Sequence, residues 1–299
     1  MALVFTTLCL AALCTAGLAF RGAEKSFAAG LADDSAVLIG AGDISDCTDL
    51  AGAKATAKLL EQNPGTVMAV GDLAYPDGSK ENFDCYNKTW GRVKARTRPA
   101  VGNHEFHSEG ATFYFKYFGA AAGDPNDGFY SYELGSWHII VLNSECAEID
   151  GCGADSRQIK WLRADLTAHA AECTLAYWHK PLFSSGAKHG DDPEIKPLWQ
   201  ALYDANADVI VNGHDHDYER FAPQDPGAKA DSKRGIREFV VGTGGKNHRP
   251  FAVPHPNSEV RNDDTFGVLK LTLKAGAYDW QFIPEAGKSF SDSGSGTCH

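Results

Sequence analysis

Short apolar runs alternate with amphipathic stretches through the first two thirds of the chain. Ala36-Val37-Leu38-Ile39-Gly40 and Thr66-Val67-Met68-Ala69-Val70 are almost free of polar residues, which predicts buried strands. Between them Leu50, Ala53, Ala57 and Leu60 recur at helical spacing, so a helix is expected from Asp49 to Glu61, stopped by Asn63-Pro64-Gly65. The alternation continues with a strand at Trp137 to Leu142 and a helix from Asp155 to Ala168, with Ile159, Leu162 and Leu166 on one face. A strand at Leu175 to Trp178, a helix around Ile195 to Ala205 and a strand at Asp208 to Val211 follow. From Ile236 onward only strands are expected, at Glu238 to Val241, Gly267 to Leu273 and Tyr278 to Ile283. Strand–helix alternation followed by strands alone predicts stacked sheets with helices outside, in one catalytic domain. The Ser/Gly-rich end, Gly287 to His299, is expected to be loose unless Cys298 staples it.

Composition narrows the function more than the fold. A formal net charge of −11 over 299 residues argues against a nucleic-acid scaffold or an anionic membrane as partner. It does not exclude a small phosphorylated substrate, because bound metal ions invert the local field. Residues Ala2 to Phe20 carry no charge and precede Arg21, which resembles a secretory signal peptide; residues 1–29 are read as leader and 30–299 as the exported domain, extracellular or periplasmic. A retained anchor is the competing reading, since about 18 uncharged residues is the lower limit for a span. No later segment is apolar enough to cross a membrane. Of the eight cysteines, Cys9 and Cys14 fall in the leader, and an even set remains: Cys47, Cys85, Cys146, Cys152, Cys173 and Cys298. That set fits three disulfides in an oxidising compartment. Cys146 and Cys152 enclose a short loop and form the local pair, while pairing among the other four stays open. Asn87-Lys88-Thr89 is a glycosylation sequon, with meaning in a eukaryotic host.

The chemistry sits in five short motifs: Gly42-Asp43, Gly71-Asp72-Leu73-Ala74-Tyr75, Gly102-Asn103-His104-Glu105, Tyr177-Trp178-His179 and Gly213-His214-Asp215-His216. Each supplies oxygen or nitrogen donors, and four directly follow an apolar, strand-like run. Ligands of α/β sheets gather outside the carboxyl ends of strands, so residues distant in sequence are expected to converge. Carboxylate, amide and phenolate oxygens mixed with imidazoles suit iron, zinc or manganese rather than calcium or copper(I). Two such cations roughly 3.5 Å apart can share a carboxylate, lower the pKa of a bound water and clamp a phosphoryl group for in-line attack. A single Gly-Asp after a strand is ordinary turn chemistry, and a lone histidine before a proline is too; the ordered set of five is the specific signal.

On these motifs the chain, from about Ala36 to its end, resembles the calcineurin-like metallophosphoesterases, and through Tyr75 their purple acid phosphatase branch. It is similar to the small, secreted bacterial-type members. The resemblance implies an α/β fold, a four-layer αββα sandwich of two mixed sheets flanked by helices, with the metal site at the carboxyl ends of strands. It implies a first metal, Fe³⁺, on Asp43, Asp72, Tyr75 and His216, and a second, Fe²⁺, Zn²⁺ or Mn²⁺, on Asp72, Asn103, His179 and His214. His104 would bind the phosphate, and His189 would orient substrate or protonate the leaving group. The implied reaction is hydrolysis of phosphomonoesters by a hydroxide generated on the metals. A phosphodiesterase or nucleotidase on the same core is the alternative within enzymes, and a non-catalytic secreted binding protein is the alternative outside them. Two positions depart from the family pattern: Asp43-Ile44-Ser45 stands where Asp-x-Gly is usual, and Lys188-His189 where plant relatives carry paired histidines. Asp215 is expected to point away from the donors, and Tyr218-Glu219-Arg220 to brace the loop. His107 and His248 are left outside the site.

Overall fold

A computed structural model describes residues 1–3 and 35–299; the predicted leader, save its first three residues, lies outside the described residues. The fold is α/β, built on two large mixed sheets with helices. The first sheet has six strands in the order Ser293–Thr297, Ala277–Pro284, Gly267–Lys274, Ala36–Ala41, Thr66–Val70 and Thr97–Ala100. The second has seven, ordered Ser258–Asn262, Tyr218–Phe221, Arg237–Val241, Val209–Asn212, Cys173–Tyr177, Trp137–Val141 and Tyr130–Leu134.

The period of two along the second sheet explains the layering. Ile139, Val141, Leu175, Tyr177, Val209 and Val211 face a core shared with Leu38, Val67 and Leu269 of the first sheet. Their neighbours Ile140, Leu142, Ala176, Trp178 and Ile210 face the other way, onto Ile159 and Leu162 of helix Arg157–Ala168 and Leu198, Trp199 and Leu202 of helix Lys196–Asp204. Strands buried on both sides need apolar residues at every position, which is why they read as unbroken runs. Helix Ala51–Gln62 buries Ala53, Ala57 and Leu60 in the shared core. The predicted strands and helices all form, with ends shifted by a residue or two.

The Ser/Gly-rich end is not loose. Ser293–Thr297 pairs antiparallel with Ala277–Gln281, and Cys298 is disulfide-bonded to Cys173. A Cβ at Gly294 would lie 2.3 Å from the Trp280 ring, so the aromatic face packs directly on the backbone of this strand. The other disulfides are Cys146–Cys152, the local pair, and Cys47–Cys85. Among the described residues no helix is long and apolar enough to cross a membrane.

Candidate metal centre

All five motifs end at one place. Ala36–Ala41, Thr66–Val70 and Thr97–Ala100 run parallel and deliver Asp43, Asp72 and Asn103 from their carboxyl ends. Cys173–Tyr177 and Val209–Asn212 run parallel in the other sheet and deliver His179 and His214. Backbone bonds seam the two rims: Gly42 N donates to Val241 O at 2.9 Å and Gly244 N to Gly42 O at 2.8 Å. To aim their side chains back over the strands, Asp43, Asp72 and His214 adopt left-handed backbone, with φ of 60°, 51° and 73°. Such conformations cost on the order of 1–3 kcal/mol each outside glycine, and they cluster where function holds them. Gly71, at φ +75°, lies so near His179 that a Cβ would come within 2.5 Å of its ring.

Two groups of donor atoms result. In the first, the Tyr75 hydroxyl lies 2.6 Å from Asp43 Oδ1, 3.0 Å from Asp72 Oδ2 and 3.1 Å from His216 Nε2. In the second, His179 Nε2 lies 3.2 Å from Asp72 Oδ2 and 3.1 Å from His214 Nδ1. Asp72 Oδ2 belongs to both. His179 Nδ1 bonds Val70 O at 3.0 Å and His216 Nδ1 bonds Asn247 Oδ1 at 2.9 Å, which turns each Nε2 toward the cleft. Asn103 Oδ1 is buried with no hydrogen-bond partner. An orphaned acceptor of that kind costs about 1–3 kcal/mol, and a cation beside it removes the penalty. The donor set therefore fits two cations sharing Asp72.

Electrostatics agree with that fit. Burial raises the Asp72 carboxyl, but the His179 and His104 rings outweigh it and hold it well below the usual carboxylate range. Asp43 is likewise lowered against burial by His216 and His179. Burial opposes a charge on His179, yet the Asp72 and Asp43 carboxylates push it up to about 10, a proton standing where a cation would. Burial and His179 hold His214 far below its ordinary value, as a lone-pair donor. Tyr75 is raised by burial and by Asp43 and Asp72, so it is a neutral phenol that donates to Asp43.

The two histidines read as substrate-facing border this cluster. His104 N donates to Asp72 Oδ1 at 2.9 Å, its Nδ1 is bonded to Pro76 O, and its Nε2 faces the cleft 3.8 Å from Asp72 Oδ2. His189 lies with its ring centroid 4.0 Å from that of His214. Asp215 does point away: its carboxylate accepts from Ser184 Oγ at 2.6 Å and Gly190 N at 3.0 Å, and so holds the loop that carries His189. Tyr218–Phe221 braces its surroundings as a strand: Glu219 accepts from Ser185 N at 2.7 Å, and Arg220 pairs with Asp292 at 2.7 Å. His107 stands behind His104, ring centroids 4.7 Å apart, and His248 stacks on Phe266.

Glu105 is the residue that sequence reasoning passed over. Fully buried, it accepts from Asp72 N at 3.0 Å, Leu73 N at 2.8 Å, Ala74 N at 3.2 Å and Gly102 N at 2.9 Å, lashing the Asp72 turn to the Asn103 turn. Burial and Asp72 push it up to about 8, and the N–H groups of Gly102 and Leu73 work against that rise. Its position three residues after Gly102 is a helix-capping signal legible in sequence; its reach to Asp72 is not. Elsewhere, His138 lies between Glu133 and Asp165, each at 2.7 Å, a closed network in which both ring nitrogens are already partnered.

Comparisons with known proteins point the same way. The family described as calcineurin-like phosphoesterase matches residues 39–218. Purple acid phosphatase 18 of Arabidopsis thaliana is 30% identical over 227 residues, 68% of this chain and 49% of that protein. The chain spans about half the length of the curated relatives it matches. Among solved structures, a purple acid phosphatase from yellow lupin (Lupinus luteus) seeds superposes with a TM-score of 0.75 at 19% identity, covering 87% of this chain and 53% of that one. GAP50, described as the anchor in the inner membrane complex of Plasmodium, superposes with a TM-score of 0.69 at 12% identity, covering 89% of each chain. These two likenesses concern the fold.

Proposed function

We propose that this chain, which belongs to the calcineurin-like phosphoesterase family, hydrolyses phosphomonoesters at a binuclear metal centre of the purple acid phosphatase kind. The observation that carries the reading is Asp72 Oδ2, shared at 3.0 and 3.2 Å between a phenol-containing and an imidazole-containing donor group. Asp43, Tyr75, His216 and Asp72 would hold one metal, and Asp72, Asn103, His179 and His214 the other. Bound there, two cations supply Lewis acidity toward phosphoryl oxygens and a water of lowered pKa. His104 presents Nε2 to a phosphate oxygen lying across the pair, and His189 stands on the far rim as proton donor to the leaving group. Three disulfides support an oxidising, exported setting.

Tyr75 favours Fe³⁺ in the first position. Its proton is held tightly by burial and two carboxylates, and only a strongly acidic cation displaces it. The iron-loaded protein should show a visible phenolate-to-iron band that Tyr75→Phe bleaches without changing the fold, measured by absorbance and circular dichroism. A colourless iron-loaded protein, or a band that survives Tyr75→Phe, removes the assignment.

The activity test is turnover of p-nitrophenyl phosphate against bis(p-nitrophenyl) phosphate by the metal-loaded chain, with His104→Ala and His189→Ala alongside. Both variants should keep their metals and lose turnover, His189→Ala by about 10²–10⁴-fold, the range for a general acid–base group. His189→Ala should hurt least with good leaving groups, which need no proton. Loss of a metal in either variant would place that histidine among the ligands. Diester preference would favour the phosphodiesterase reading, and absence of turnover a binding protein that keeps the fold; the complete donor set counts against the latter.

A further inference from the structure

Arg249 is anchored on one side of the cleft and reaches to the other. Its backbone N–H donates to the carbonyl of His216, at 3.2 Å, beside the first donor group. Its guanidinium is hydrogen-bonded to His189 Nε2, and the His189 ring lies 4.0 Å from that of His214, in the second group. Four other arginines have acidic partners: Arg220 pairs with Asp292 and Glu259, Arg237 with Glu259, Arg157 with Asp127 and Arg92 with Glu61. Arg96, Arg234 and Arg261, also without a carboxylate, are bonded to backbone or uncharged side-chain oxygens away from the cleft. The cations beside His179 and Tyr75 are neutralised too, Lys180 by Glu145 at 2.7 Å and Lys246 by Asp46. Arg249 has no carboxylate within ion-pair distance among the described residues, in a chain of net charge −11. A guanidinium at the mouth of an anion-binding cleft, resting on a ring nitrogen rather than a carboxylate, lacks the acceptor it matches best.

We infer that Arg249 binds a non-bridging oxygen of the substrate phosphate and sets a preference for phosphomonoesters over phosphodiesters. This rests on the phosphoesterase reading. A monoester dianion has three non-bridging oxygens, so two can lie toward the metals while the third meets Arg249. A diester has only two, carries one charge, and turns an ester group toward the guanidinium at the third position. Arg249 thus adds a charge-assisted contact for one class and none for the other.

Arg249→Gln, made in the full metal-loaded chain, tests this. Kcat/KM for p-nitrophenyl phosphate should fall about 10- to 100-fold, mostly through KM, the span of a lost charged hydrogen bond. Bis(p-nitrophenyl) phosphate should change little, and Arg249→Lys should recover part of the loss. The Kd of inorganic phosphate, by calorimetry, should weaken by the same factor, with metal content and thermal midpoint unchanged. Equal losses on both esters, an unchanged phosphate Kd, or the same shift in ester preference from His189→Ala would overturn the inference. Should the wild type turn over neither ester, the activity reading fails while the phosphate Kd still decides the role of Arg249.

Discussion

Asp72→Ala should strip both metals from the centre and take nearly all turnover with it. One oxygen of Asp72 lies within 3.2 Å of donor atoms in both groups, and its other oxygen orders the backbone of His104 at 2.9 Å. Removing an outer partner of a metal ligand already costs about 10–100-fold in affinity, so losing the shared ligand should cost on the order of 10³-fold or more in turnover. The pattern matters as much as the size. His216→Ala should empty mainly the position next to Tyr75, and Asn103→Ala mainly the position next to His179 and His214. Metal analysis of the three purified variants, with p-nitrophenyl phosphate turnover, checks this. Two metals per chain and normal turnover in Asp72→Ala would refute the shared ligand.

Glu105→Ala should be the most destabilising single change at the site. It would leave four backbone N–H groups in the interior without their acceptor, those of Asp72, Leu73, Ala74 and Gly102. Each buried donor left without an acceptor costs about 1–3 kcal/mol, which together amounts to a fall of roughly 10 °C or more in thermal midpoint for a domain of this size. Because Glu105 sets the spacing between the turns bearing Asp72 and Asn103, metal content should fall as well, although Glu105 touches no donor atom of the cleft. Thermal unfolding and metal analysis read the two effects separately. Unchanged midpoint and unchanged metals would mean that the turns hold themselves.

The central strands and the cleft residues were legible for one physical reason each. A strand buried on both faces must be apolar throughout, so Thr66–Val70 and Val209–Asn212 stand out as runs. A side chain aimed past a strand end must come from a turn, so Asp43, Asp72, His179 and His214 follow those runs directly. Edges carry no such mark. Thr97–Ala100 contains Arg98 and Pro99, Ser258–Asn262 is half-exposed and polar, and Ser293–Thr297 has no apolar residue at all; pairing and the Trp280 face make them strands. Glu105, Arg249 and the hold of Asp215 on the loop carrying His189 escaped for a different reason. Each acts on a segment far away in the chain, and only the fold says which one. Disulfide pairing divided the same way: Cys146–Cys152 joins positions 6 apart, while Cys173–Cys298 joins positions 125 apart.

The most direct test of the binuclear centre is a titration of metal-free protein with iron and then zinc, following metal bound per chain and p-nitrophenyl phosphate turnover together. Two cations sharing Asp72 predict saturation at two equivalents, with turnover appearing only as the second binds. Full turnover at one equivalent, or turnover indifferent to metal removal, would contradict it.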